Sequence, residues 1–354
     1  MEEKKDTLGM LDLVIRPGFC VKENQIIKVN QAAESLFITP GTDVRPLLLT
    51  GSEEYAAFTG GCLYLTLSLS SHSCGASVTR VEDTDVFLLE QESDNGELRS
   101  MALAARELRE PLTNVMITAD SLFPLCAAES SPRTAEQVAR LNRGLFQILR
   151  IIGNMSDAER CAAVSHQETV DIPALFAEFF EKAETLVSHT GITLTYEGPD
   201  QPIYGLADRE QLERAVLNIL SNAIKFTPKG GTVTAKLTRS GRMLRLSVTD
   251  SGSGIAQSVR SSVFSRYLRQ PALEDSRYGI GLGMVLIRTA AAHHGGAVLI
   301  DQPEGVGTRI TMTMSIRQSK QATLRSNVLR VDYAGERDHG LIELSECLPT
   351  ELYE

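Results

Sequence analysis

The chain has 354 residues, 42% hydrophobic and 23% charged, with a formal net charge of −10; that length suits two or three domains with ample chain for a core. The acidic balance argues against direct nucleic-acid binding, which needs a concentrated basic surface. No apolar run approaches the roughly 18 residues of a membrane span, and the opening MEEKKDTLGMLDL lacks the apolar stretch of a signal peptide, so the expected location is cytoplasmic.

The N-terminal elements are short. CVKENQIIKVNQAA, residues 20–33, reads as strand, turn, strand and helix start, with Glu23-Asn24 as the turn. Leu63, Leu65, Leu67 and Leu69 alternate and 86–89 is apolar, so further strands are expected there. Residues 1–92 are similar to a PAS sensor domain, in which a hairpin leads into an Asn-x-Ala-Ala helix; a small mixed domain without a ligand is the other reading. Cys20, Cys62 and His72 lack the spacing of haem or flavin ligands. Cys20, Cys62, Cys74, Cys126, Cys161 and Cys347 show no paired spacing, which fits reduced thiols better than zinc or disulfides.

After a polar link at 91–97, apolar residues recur every three or four positions at Leu98, Met101, Ala105, Leu108, Leu112, Val115, Ala119 and Leu122. Val138, Leu141, Leu145, Ile148, Ile152 and Met155 do the same beyond a Ser/Pro-containing turn at 129–133. The pattern predicts an antiparallel helical hairpin over 93–166. Neither helix buries its seam alone, so two copies are expected to form a four-helix bundle; the alternative is a pair packed on its own chain.

The most informative stretch is QLERAVLNILSNAIK, residues 211–225. Asn218, Asn222 and Lys225 share one face of the expected helix, and Leu212, Ala215, Val216, Ile219, Leu220 and Ala223 line the other. Carboxamide oxygens can complete a magnesium shell, and an ammonium answers phosphate charge. Next, LRLSVTDSGSGI puts Asp250 at the end of an alternating strand, where a carboxylate can accept from an exocyclic amine such as that of adenine. Gly252 and Gly254 let backbone and ligand approach closely. Gly279, Gly281 and Gly283 then open an apolar helix, a setting for anion binding by backbone amides. Glu304-Gly305-Val306-Gly307-Thr308 precedes an alternating strand over 309–314.

In this order the motifs resemble those of the catalytic ATP-binding domain of sensor histidine kinases, of the type shared with gyrase and Hsp90. Asn218, Asn222 and Lys225 match the asparagine motif, Asp250, Gly252 and Gly254 the first glycine motif, and Phe264 the phenylalanine motif. Gly279, Gly281 and Gly283 match the second glycine motif, and Gly305, Gly307 and Thr308 the last. The resemblance implies an α+β chain: a PAS-like domain at 1–92, a dimerisation hairpin at 93–166, an α/β-sandwich ATP-binding domain at 167–316 and an extension at 317–354. It also implies ATP and magnesium as cofactors, with Asn222 holding the metal, Asp250 reading adenine and a lid at about 257–278. Gyrase-like hydrolases carry a glutamate base where Asn218 stands, which argues for phosphoryl transfer rather than hydrolysis.

The hairpin departs from this family. Ala105-Arg106-Glu107-Leu108-Arg109-Glu110-Pro111-Leu112 overlays the family's Ser-His-Glu-Leu-Arg-Thr-Pro-Leu box, so Arg106 stands at the phosphoacceptor position. A guanidinium offers no nitrogen lone pair near neutral pH. Glu107, the family's adjacent acid, has no imidazole to assist, and Glu110 replaces the residue that positions water in phosphatase action. A Mg-ATP-binding scaffold is therefore expected, a homodimer through 93–166, with a response regulator or a partner kinase as its counterpart. The alternative is an active kinase that phosphorylates a partner protein, including the anti-sigma-type serine kinases that share this domain; a chaperone or DNA-repair ATPase fits least. In the extension, 328–333 and 341–344 read as a strand pair joined by a turn at 334–340.

Overall fold

The computed structural model describes residues 11–12, 14–69, 72–90, 93–128, 132–163, 166–255, 263–264, 282–303, 307–317 and 338–353. The chain opens with a hairpin of β1 (Gly18–Lys22) and β2 (Gln25–Val29). Its turn residues Glu23 and Asn24 both take positive φ, 51° and 64°, the geometry that follows strand twist in a two-residue connection. Asn30 then caps the short α1 (Gln31–Glu34): its Oδ1 accepts from Ala33 N and Gly18 N, and its Nδ2 donates to the Val14 and Arg16 carbonyls. One buried carboxamide thus ties helix start, hairpin and incoming chain together.

After α2 (Ser52–Ala56) come β3 (Cys62–Leu69), β4 (His72–Val81) and β5 (Thr84–Leu89), giving an antiparallel sheet in the order β2-β1-β5-β4-β3. Its core gathers Phe19 stacked on Phe87 at 4.7 Å with Leu63, Leu65 and Leu67. Then α3 (Ser93–Ala128) and α4 (Pro132–Ala163) form the long helical pair. The two rows of apolar residues on these helices separate. Ala105, Leu112, Met116 and Ala119 pack on Leu145, Leu149 and Ile152, whereas Leu108, Val115 and Leu122 stay about half exposed.

The remainder is a layered unit. β7 (Thr193–Glu197), β9 (Thr232–Ser240), β10 (Met243–Asp250), β12 (Arg309–Ser315) and β11 (Val298–Asp301) make the sheet, with β7 parallel to β9 and the other pairs antiparallel. The helices α5 (Ile172–Val187), α6 (Arg209–Phe226) and α7 (Leu282–His293) bury their apolar faces in one cluster with the sheet. β6 (Glu168–Asp171) and β8 (Tyr204–Ala207) pair separately. The two large sheets are continuous: β3 pairs with β11, Leu63 opposite Leu299, to give ten strands. β3 is accordingly buried on both faces, Leu63 and Leu65 in the first core and Cys62 and Tyr64 in the second.

The extension corrects the sequence reading. Leu341 to Leu344 is not a strand but part of α8 (His339–Glu343) and its C-cap, started by Asp338, whose side chain accepts from Leu341 N. Ile342, Leu344, Leu348 and Tyr353 are buried, and the residues 341, 344 and 348 follow helical rather than alternating spacing; a 3-10 turn closes at Thr350–Tyr353. The other expected strand, at 328–333, lies outside the described residues. Among the described residues, Cys20, Cys62, Cys74 and Cys347 carry thiols rather than disulfides, and no helix is long and apolar enough to cross a membrane.

Candidate nucleotide site

The site is built on α6. Asp208 caps the helix, its Oδ1 accepting from Gln211 N at 3.2 Å and its Oδ2 from His166 N at 2.7 Å. The Asp208 amide in turn donates to His294 Nε2 at 3.0 Å, while His294 Nδ1 lies 2.7 Å from the Ala290 carbonyl. Those partners require the neutral ring with its proton on Nδ1, and burial lowers the His294 pKa from 6.5, against the opposing pull of the Ala290 carbonyl and Asp208. With its first turn fixed, α6 buries Leu212, Ala215, Val216, Ile219, Leu220 and Ala223. This presents Asn218, Asn222 and Lys225 on the other side.

Two of the glycine motifs meet this helix. Gly283, at the start of α7, lies so close that a Cβ there would sit 2.6 Å from Asn218 Oδ1. Gly252 abuts the other end of α6, where a Cβ would come within 2.4 Å of the Phe226 carbonyl. Asp250 ends β10, and its Oδ1 accepts from Gly252 N at 2.8 Å and Thr308 N at 3.1 Å. Both amides use the same oxygen, which leaves Oδ2 with accepting capacity for an exocyclic amine. Burial raises the Asp250 pKa, opposed by the two amides. Gly307 approaches the Asp250 carbonyl so closely, at φ 113°, that no side chain fits there. Asn218 and Gly283 are thus brought together midway along α6, and Asp250, Gly252, Gly307 and Thr308 at its C-terminal end beside Phe226. Gly254 follows at φ 73°. Gly279, Gly281, Gly305 and most of 257–278 lie outside the described residues.

Phe264 is 4% exposed and meets residues of the N-terminal sheet. Its ring lies 5.6 Å from that of Tyr64, and its carbonyl accepts from Arg288 Nη1 at 3.1 Å. Arg288 also pairs with Glu90 at 2.5 Å and lies over the Tyr64 ring at 5.0 Å.

Arg150 and Arg214 are functional-site neighbours that sequence reasoning missed. Arg214 pairs with Asp157 of α4, donates to Asn154 Oδ1 at 2.6 Å and pairs with Glu343 of α8 at 3.0 Å. Arg150 of α4 donates to Ser221 Oγ at 3.1 Å and pairs with Glu343 at 3.4 Å and Glu346 at 3.1 Å. Asn218 Nδ2 donates to the Arg214 carbonyl at 2.9 Å and to Glu343 Oε2 at 3.4 Å, and Lys225 Nζ pairs with Glu346 at 2.7 Å. Burial works against the Arg150 charge, but Glu343 and Glu346 outweigh it and raise its pKa. Burial likewise opposes the Glu346 carboxylate, and Arg150 and Lys225 outweigh it and lower its pKa. The available signal was spacing: Arg150, Asn154 and Asp157 share one face of α4, as Arg214, Asn218 and Lys225 do on α6.

This donor set fits the phosphate end of a nucleotide, since Asn218 and Lys225 already hold carboxylate oxygens. Magnesium would come with the phosphates and keep several waters and phosphate oxygens; Asn222, the residue expected to hold it, lies half-buried on α6. Arg106, Glu107 and Glu110 are exposed on α3, beside buried Ala105.

Residues 207–318 match the family described as "Histidine kinase-, DNA gyrase B-, and HSP90-like ATPase". An uncharacterised sensor-like histidine kinase of Rhizobium meliloti is 29% identical over 73% of this chain and 52% of its own length. The adaptive-response sensory kinase SasA of Synechocystis sp. is 30% identical over 61% of this chain and 58% of its own. The chain spans about half the length of such curated relatives. Among solved structures, full-length ShkA in complex with AMPPNP has a similar fold, at TM-score 0.51 and 23% identity, over 70% of this chain and 54% of that one. Residues 207–318 therefore form a histidine kinase-, DNA gyrase B- and HSP90-like ATPase domain, in a chain similar to sensor histidine kinases.

Proposed function

We propose that the chain is a histidine-kinase-like signalling protein that binds Mg-ATP and does not phosphorylate itself at the usual hairpin position. The observation that carries this is Arg106. It is exposed on α3 one residue after buried Ala105, so the helix register offers solvent a guanidinium where an imidazole nucleophile is needed. Asp250 reads the adenine amine, Asn218 and Lys225 meet phosphate oxygens, Asn222 supplies a metal oxygen, and Thr308 with the glycine amides completes the cradle. The ATPase match and the fold shared with ShkA, solved with AMPPNP, support this assignment.

Residues 93–166 serve as the homodimer element, supported by the apolar row left exposed on both helices. The hairpin with its Glu23-Asn24 turn and Asn30-capped helix supports the PAS-like reading of 1–92. The chain works in the cytoplasm with a response regulator or a partner kinase. A second reading, phosphorylation of a partner protein, is favoured by the full set of Asn218, Asn222, Lys225 and Asp250.

Incubation of purified protein with magnesium and γ-labelled ATP tests the proposal. Binding without acid-labile label is the expected result. Acid-labile label on the chain would overturn it by requiring a histidine nucleophile elsewhere, and acid-stable label on an added partner would select the second reading.

A further inference from the structure

Two acids of the C-terminal segment sit on the face of α6 that the nucleotide reading assigns to phosphate. Glu343 is fully buried with one oxygen on Arg214 and the other facing Arg150 and Asn218. Glu346, three residues on, joins Lys225 to Arg150. Three cations and one carboxamide therefore converge on two carboxylates supplied from the end of the chain. At the other end of the site the segment makes no such contact: the Asp250 carboxylate is held by Gly252 and Thr308 amides. The covering is confined to the phosphate end.

The segment is firmly seated. The side chains of Ile342, Leu344, Leu348 and Tyr353 are buried, and Phe146 of α4 meets Tyr353 edge-on at 5.2 Å. Arg143 and Gln147 donate to the Ser345 carbonyl, and Asn142 to that of Tyr353. All three belong to α4, so the segment bridges the helical pair and the ATPase domain. Carboxylate and phosphate compete for the same guanidinium and ammonium donors, so both cannot hold Asn218 and Lys225 together.

We propose that residues 338–353 act as an intramolecular competitor for nucleotide, with Glu343 and Glu346 standing in for phosphate oxygens. The proposal rests on the nucleotide-site reading given above. Nucleotide then binds the fraction of molecules whose acids have withdrawn, and its apparent dissociation constant is raised by the inverse of that fraction. By linkage, whatever moves α4 relative to α6 also moves the segment and changes nucleotide affinity. The covalently attached acid is present at every nucleotide concentration, so it sets a threshold that saturating Mg-ATP overcomes.

The test is titration of the full-length chain with a fluorescent ATP analogue and magnesium, beside the Glu343→Gln/Glu346→Gln double variant. That variant removes both charges at nearly constant shape and leaves the apolar anchors in place. A second variant, Glu346→Gln alone, changes only the more exposed acid and guards against misfolding. The double variant is expected to bind about tenfold more tightly, the equivalent of about 1.4 kcal/mol. Saturating Mg-ATP is expected to speed amide hydrogen exchange across 338–353 in the full-length chain. Equal or weaker binding by folded variants overturns the competitor while the site reading stands. Unchanged exchange at saturation does the same, and failure of all the chains to bind overturns both readings.

Discussion

Asp250 and Asn222 are the residues on which the proposed nucleotide binding turns, and each is expected to fail differently when changed. Asp250→Ala removes the carboxylate that accepts from Gly252 and Thr308, so it is expected to lose both the proposed adenine acceptor and the geometry of the last glycine motif. A charged hydrogen bond of this kind contributes about 1.5–3 kcal/mol, so titration should show binding weakened by one to two orders of magnitude. Asn222→Ala should act only when magnesium is present, because its carboxamide is assigned to the metal; equal binding by both variants and the parent would remove the assignment. Gly283→Ala tests packing instead, since the new methyl meets Asn218 Oδ1 at 2.6 Å. Displacing that carboxamide costs about 1–3 kcal/mol, read as a lower urea midpoint together with weaker nucleotide binding. His294 carries a pH dependence. Burial depresses its folded pKa below 6.5, so the unfolded chain binds more protons as the solution turns acid. Its contribution is complete above pH 6.5 and is lost as pH falls through the folded value. His293, also depressed by burial, adds the same sign. Urea unfolding of His294→Gln should therefore show a shallower acid limb than the parent, whereas an identical limb would place the proton uptake elsewhere.

The junction of β3 with β11 is the element that ties the N-terminal sheet to the ATPase domain, and Arg288 reinforces it from α7. Its guanidinium reaches Glu90, the Tyr64 ring and the Phe264 carbonyl from a side chain 4% exposed. Arg288→Ala should cost about 2–3 kcal/mol, less than a fully buried pair because the Glu90 side chain keeps 24% of its surface in water. Chemical denaturation measures this, and a loss below about 0.5 kcal/mol would show the contact to be incidental. The elements themselves were legible where burial is one-sided. Alternation at Leu244, Leu246 and Val248 marks β10, and the three-and-four spacing from Ala105 to Ala119 marks α3. The gathering of Asn218 with Gly283 and of Asp250 with Thr308 followed from motif order. The β3–β11 pairing was not legible, because alternation shows that a strand has two faces but not which strand lies at its edge. The extension was misread because Leu341 to Leu344 is too short for its period to decide between strand and helix. The deciding signal was Asp338 placed three residues before Leu341, a capping contact that needs no alternation. Arg150 and Arg214 escaped for another reason: a charge on a helix face usually reads as solvated, and only the partner elements reveal that it is buried.

At the scale of the whole molecule, the helical pair leaves an apolar surface exposed among the described residues. α3 and α4 satisfy each other along Ala105, Leu112, Ala119, Leu145 and Ile152. A second row stays in water, with Leu108 at 50%, Val115 at 51%, Leu122 at 50%, Leu141 at 54% and Ile148 at 47% exposure. Along α3 these residues repeat every seven positions, as do 141 and 148 on α4, so they form continuous stripes rather than scattered apolar residues. Monomeric proteins rarely expose contiguous apolar stripes, and a heptad repeat is the pattern by which a second helical pair interlocks. A homodimer would place the two exposed rows against their copies and close a four-helix core. The decisive variant introduces charge into the stripe without touching the buried row: Val115→Glu with Ile148→Glu. The parent is expected to run as a dimer in light scattering at micromolar concentration, and the variant as a monomer with its helical circular dichroism retained. A monomeric parent would mean that the stripe serves another partner. A variant that stays dimeric would move the interface off the hairpin altogether.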